Sequence, residues 1–160
     1  MTYYGLQAPL NDVIMGQPTP NEYLKAETDN IKPGLLIKKG SDQSLITICD
    51  AEGQPGGWAG YGAGATFKPV DRDTPYSIND MVPVHNGTGF FVVAILAEDQ
   101  QVNKNEPLVP ADNGEVQAVP VEEGEGEGEN NSGVNFHVGY ASHDADSTGN
   151  AIRILVRSII

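Results

Sequence analysis

Apolar positions in this chain fall in short runs, and their spacing is that of strands. The longest run, Phe90 to Ala97, is apolar at all eight positions. A strand of that kind has to be covered on both faces, which places it at the centre of a barrel or sandwich. Val134 to Ala141 instead alternates Val134, Phe136, Val138 and Tyr140 against Asn135, His137 and Gly139, the two-residue period of a half-buried strand. Near the end, Ile152, Ile154 and Val156 share one strand face, with Arg153, Leu155 and Arg157 on the other. Leu35 to Lys38 and the β-branched stretch Ser44 to Cys49 predict a hairpin. Helical spacing is suggested only around Asn21 to Asp29, where Asn21 would be the cap.

Turn residues separate these runs. Lys32-Pro33-Gly34 offers the fixed φ of proline followed by the positive φ of glycine. His85-Asn86-Gly87-Thr88-Gly89 stands between Met81–Val84 and Phe90–Leu96 and predicts a second hairpin. Asp112-Asn113-Gly114, between Leu108-Val109 and Val116–Val119, predicts a third. Gln54 to Ala65 carries Gly56, Gly57, Gly60, Gly62 and Gly64 around Trp58 and Tyr61. That density excludes a helix and suits a strand under close backbone approach, and no Gly-Lys-Ser/Thr follows to make a phosphate loop.

Together these elements predict a mainly β chain: a single small β-barrel or β-sandwich domain over residues 24–160, preceded by an extended N-terminal arm over 1–23. Pro9, Pro18 and Pro20 forbid a continuous helix in the arm. Its apolar residues Tyr3, Tyr4, Leu6, Leu10, Val13, Ile14 and Met15, with Asp12 the one charge before Glu22, are more than a solvated tail needs and mark candidate contacts with a partner. The alternative is a strand folded back on its own domain. Within the domain, residues 122–133 hold an acidic Gly/Glu loop that has too little to bury to order itself.

Charge and cysteine content narrow the function. The chain has 9 Lys and Arg against 22 Asp and Glu, a formal net charge of −13, which disfavours any nucleic-acid partner. One cysteine, Cys49, excludes an intramolecular disulfide and a cysteine-based zinc site. The start shows no signal peptide, and no run approaches the roughly 20 residues of a membrane helix, so a soluble protein made without export and without a membrane partner is expected. Chemistry is sparse. His85, His137 and His143 lie in a turn, on a polar strand face and in a loop, and His143-x-x-Asp146 matches no metal-ligand spacing; no metal and no cofactor are expected. Asp71 and Asp73, near Trp58, Tyr61 and Tyr76, are the only carboxylates in an aromatic setting, a weak basis for a hydrolase. Trp58, Tyr61 and Tyr76 themselves are candidate sugar-stacking aromatics or, on the plainer reading, core.

From Ile31 onward the order of punctuated strands resembles the small β-barrel capsid decoration, or cement, proteins of tailed bacteriophages and archaeal tailed viruses. The resemblance rests on Ile31-Lys32-Pro33-Gly34-Leu35; Gly57-Trp58-Ala59-Gly60; Tyr76 to Val84; Glu106-Pro107-Leu108 with Asp112-Asn113-Gly114-Glu115-Val116; Val138-Gly139-Tyr140-Ala141; and Ile152 to Val156. Where such chains often carry a glycine before the leucine that opens the second hairpin, this one has Lys104-Asn105-Glu106. The resemblance implies a non-enzymatic structural protein on the capsid exterior, commonly a homotrimer, whose partner is the major capsid protein and which bridges neighbouring capsid subunits. The alternative is a carbohydrate-binding β module displayed on a virion or attached to an enzyme system.

Overall fold

The computed structural model describes residues 13–17, 19–62, 69–120 and 136–160. The acidic loop and the expected contacts Tyr3, Tyr4, Leu6 and Leu10 lie outside the described residues. The fold is mainly β. In chain order the strands are β1 (Ile14–Met15), β2 (Glu22–Ala26), β3 (Leu36–Lys39), β4 (Leu45–Ile48), β5 (Gly57–Ala59), β6 (Met81–His85), β7 (Thr88–Leu96), β8 (Gln101–Val102), β9 (Pro107–Pro110), β10 (Val116–Ala118), β11 (Gly139–Ala141), β12 (Ala145–Asp146) and β13 (Ile152–Ile159).

Ten of these strands close into two small barrels, β1 adding to β7 and β8 pairing with β12 outside them. In the first ring β2 pairs with β4, β4 with β3, β3 with β5, β5 with β6, and β6 returns to β2. In the second β7 pairs with β10, β10 with β9, β9 with β11, β11 with β13, and β13 returns to β7. Alternation fills each interior: Ala26, Ile37, Ile46, Val82 and Val84 in the first, and Val92, Ala94, Leu96, Leu108, Val116, Ile154 and Val156 in the second. β7 is paired along both edges, to β13 on one side and to β1 and β10 on the other, as its unbroken apolar run requires.

Two hairpins stand as read from sequence: β3–β4, with Ile37 opposite Ile48, and β9–β10 around Asn113 and Gly114 at φ 61° and 74°. The Asn86-Gly87 hairpin does not form. β6 pairs within the first ring and β7 within the second, so Asn86-Gly87 is the crossing between barrels, and the Gly87 N–H donates to the Ile160 carbonyl at 2.6 Å. The helix expected at Asn21 to Asp29 is strand β2. Its backbone is claimed by β4 and β6, and the Asn21 side chain accepts from the Asn86 N–H at 2.7 Å instead of capping.

The arm also needs correcting. Val13 is fully buried and Ile14 6% exposed, β1 lies against β7 with Ile14 opposite Val92, and Met15 packs on the same core. These three residues belong to their own domain, because the exposed edge of β7 beside β10 offers both backbone partners and apolar cover.

The two rings share one topology, strand for strand. β2, β3, β4, β5 and β6 correspond to β7, β9, β10, β11 and β13, and each ring is closed by a single parallel pair, β2–β4 and β7–β10. Following the registers around each ring gives consistent equivalences. Gly57 and Trp58, opposite Ile37 and Leu36, match Gly139 and Tyr140, opposite Leu108 and Pro107. Val84, opposite Glu22 and Ala59, matches Val156, opposite Val92 and Ala141. The loops agree too. Gly34 N–H donates to the Ala59 carbonyl at 2.7 Å, as Asn105 N–H does to that of Ala141 at 2.7 Å; Gly60 to Pro83 at 2.7 Å matches Ser142 to Leu155 at 2.9 Å; Glu27 to Ile46 at 2.9 Å matches Ala97 to Val116 at 2.8 Å. Asn105 takes φ 66° where Gly34 takes 89°, since asparagine tolerates the left-handed region.

The rings meet at a polar and aromatic joint. Trp58 Nε1 of the first donates to Ser158 Oγ of the second at 3.0 Å. From β13, Arg153 reaches across to donate through Nη1 to the Pro33 carbonyl at 2.9 Å and through Nε to Asp73 Oδ1 at 2.9 Å, and through Nη2 to the Arg72 carbonyl. Glycine is required at position 34: a Cβ there would collide with the Val93 carbonyl oxygen.

Candidate functional site

The expected ligand aromatics are interior. Trp58 is fully buried, Tyr76 1% and Tyr61 9% exposed. Their polar ends are satisfied inside the fold, Tyr76 Oη by the Gly60 carbonyl at 2.7 Å and Tyr61 Oη by that of Pro69 at 2.8 Å. A ring enclosed on both faces cannot stack on a sugar, so these three residues are core, and burial pushes the Tyr76 phenol up from its ordinary pKa.

The other candidate groups are also occupied structurally. Asp71 accepts from the Thr74 hydroxyl at 2.9 Å and from the Asp73 and Thr74 amides at 2.9 and 2.8 Å. These bonds, the Thr74 hydroxyl foremost, hold its carboxyl below the usual range, the opposite of what a general acid needs. Asp73 is paired with Arg153. His85 is buried with Nδ1 3.1 Å from Gln17 Oε1. His143 bridges two backbone groups, with Nδ1 2.9 Å from the Asp144 carbonyl and Nε2 3.3 Å from the Leu155 amide; His137 is exposed. Asp146 closes its own turn through Thr148. Among the described residues no three His, Cys, Asp or Glu side chains gather to hold a metal ion. Cys49 is buried, and desolvation raises its thiol to about 11, leaving it protonated and unreactive at neutral pH.

What the surface offers is contact area. Among the described residues the large apolar side chains left exposed are Tyr23, Val70, Ile78 and Met81. Tyr23 and Met81 come from the outward positions of β2 and β6, where Tyr23 faces Pro83 and Met81 faces Lys25 across the antiparallel pair, making them diagonal neighbours. Ile78 is carried by the turn Ser77–Asp80, in which the Asp80 carboxylate accepts from the Ser77 N–H at 2.8 Å and the Asn79 N–H donates to the Ala26 carbonyl at 2.8 Å. Asn79 at φ 71° completes that turn and turns Ile78 outward.

The second ring presents a hollow instead. A cleft of about 250 Å³ is lined by Phe91, Tyr140 and Leu155 together with Lys104, Asn105, His143 and Arg157. The Arg157 guanidinium lies 5.3 Å from the Tyr140 ring centroid, a cation–π contact that fixes its position. Ser142, also in the lining, has a buried hydroxyl oxygen with no hydrogen-bond partner among the described residues. Sequence reasoning missed this cleft because its residues are scattered over β7, β11, β13 and the turn before β9. Among the described residues, no helix is long and apolar enough to cross a membrane. No family model matches the chain, and no curated protein matches it.

Proposed function

We propose that this chain is a structural virion protein that binds the outer surface of a viral capsid and stabilises the shell by bridging neighbouring capsid subunits, as a homo-oligomer for which a trimer is the expected form. The supporting observation is the anchoring of β1 on β7. In the sequence β1 follows directly on the apolar leading residues Tyr3, Tyr4, Leu6 and Leu10, the side chains this reading assigns to the shell. Most strand pairing among the described residues closes the two rings, and the contacts with a shell are made by side chains, Val70 and Ile78 among them. Repetition over a lattice turns modest contacts into stable attachment, and the net charge of −13 keeps the outward surface soluble.

Co-sedimentation with empty shells of the major capsid protein tests this reading. The full chain pellets saturably, and removal of residues 1–12 weakens binding at least about tenfold, since each buried apolar side chain contributes roughly 1.5–3 kcal/mol. The deletion has to stop there, because removing residues up to 20 would take Val13 and Ile14 out of the core. Undiminished binding by the shortened, folded chain contradicts the role of the leading segment.

A further inference from the structure

The cleft on the second ring is cationic in an acidic chain. Asp and Glu outnumber Lys and Arg by 22 to 9, yet none of the residues lining the cleft is acidic, and Lys104 and Arg157 are among them. Among the described residues neither cation has an ion-pair partner. The Arg157 guanidinium lies against the Tyr140 ring, a contact that uses its face and leaves the N–H donors at its edge for a ligand. His143 adds no charge. Its Nδ1 donates to the Asp144 carbonyl at 2.9 Å and its Nε2 accepts from the Leu155 N–H at 3.3 Å, so the backbone engages both ring nitrogens.

The turn carrying Lys104 and Asn105 is held from several sides. The Lys104 N–H donates to Asp144 Oδ1 at 2.8 Å, the Asn105 N–H to the Ala141 carbonyl at 2.7 Å, and the Asn103 N–H to Glu106 Oε2 at 2.7 Å. Asp144 and Glu106 thus serve backbone amides, and neither lines the cleft. Phe91, Tyr140 and Leu155 supply apolar surface beside the two charges. A bare inorganic anion would leave that surface in water, and a wholly apolar ligand would strip water from two charges without replacing it. The ligand that matches the whole lining joins one anionic group to a compact ring with an apolar face.

We propose that this cleft binds an acidic sugar, a uronic or sialic acid residue. Arg157 and Lys104 take its carboxylate, the Asn105 side chain takes a hydroxyl, and Phe91 and Leu155 cover its C–H face. The site lies apart from Trp58, Tyr61 and Tyr76, and it is independent of attachment to a capsid.

The test titrates the ¹⁵N-labelled full chain and follows its backbone amides by NMR. The probes are methyl β-glucuronide and the methyl glycoside of N-acetylneuraminic acid, set against methyl β-glucoside, acetate and inorganic phosphate. An acidic glycoside is expected to move the amides of Lys104, Asn105, Tyr140 and Arg157 saturably. The three controls bind at least about tenfold more weakly, since a hydrogen bond to a charged group is worth that much. Arg157→Gln and Lys104→Gln, both at exposed positions, each weaken binding at least about tenfold and leave amides remote from the cleft unmoved. Binding of one acidic glycoside and not the other names the sugar. Acetate or phosphate binding as tightly as the acidic glycosides would overturn the sugar, equal affinity for the glucoside would overturn the role of the charges, and no shift with any probe would overturn the site itself.

Discussion

Replacing Arg153 with leucine is expected to destabilise the protein by about 3 kcal/mol. Arg153 is 8% exposed, and its guanidinium serves the carbonyls of Pro33, Arg72 and Val93 as well as Asp73. Leucine would fill part of the volume and leave those buried carbonyls without their donor. The Asp73 ion pair adds little, because the Asp73 side chain is 69% exposed and water screens it. For a chain of 160 residues the loss lowers the melting temperature by roughly 10 °C. Lysine does not rescue it, since a single ammonium cannot serve carbonyls in three directions as a planar fork does. Thermal and urea unfolding of the two variants checks this, and a change below about 0.5 kcal/mol for leucine would show that the joint does not depend on Arg153.

Trp58→Ala is expected to cost about 3–5 kcal/mol, the effect of emptying the largest fully buried site in the molecule. Trp58→Phe keeps most of the packing and loses the Nε1 bond to Ser158, about 1 kcal/mol. Ser158 Oγ still has the Gly87 and Ile160 carbonyls, each 3.0 Å away, as acceptors for its one hydrogen, so the hydroxyl is not stranded. Chemical denaturation of both variants separates the packing contribution from the hydrogen bond. Equal losses in the two would mean that the bond, and not the filled volume, dominates at the joint.

Local structure was legible where short-range physics decides it. The run Phe90–Leu96 is a strand paired on both edges, Asp112-Asn113-Gly114 turns a hairpin, and the glycines around Trp58 mark close backbone approach, at Gly57 toward His85. Pairing partners were less so. Asn86-Gly87 satisfies every local requirement of a hairpin, yet its flanking strands find better partners in separate rings, a competition settled only by tertiary contacts. Asn21 lost its cap role for the same reason. The doubling of the barrel left almost no trace in sequence. At matched positions Gly57-Trp58-Ala59 answers Gly139-Tyr140-Ala141, but Gly34 answers Asn105 and Met81 answers Arg153, and even the interior pair Ala26 and Leu96 differs in size, because a ring fixes backbone register and leaves the identities of its residues free to diverge. The cleft inherits that invisibility, its parts being neighbours only once the second ring is closed.

Attachment to a capsid is most directly measured by titrating empty shells with the purified chain and reading bound mass by light scattering. The expected result is saturation at a fixed small-number ratio of chains to capsid subunits, with shells that then resist heating to a higher temperature than bare ones. Shells whose mass and heat resistance stay constant at every chain concentration would contradict the account.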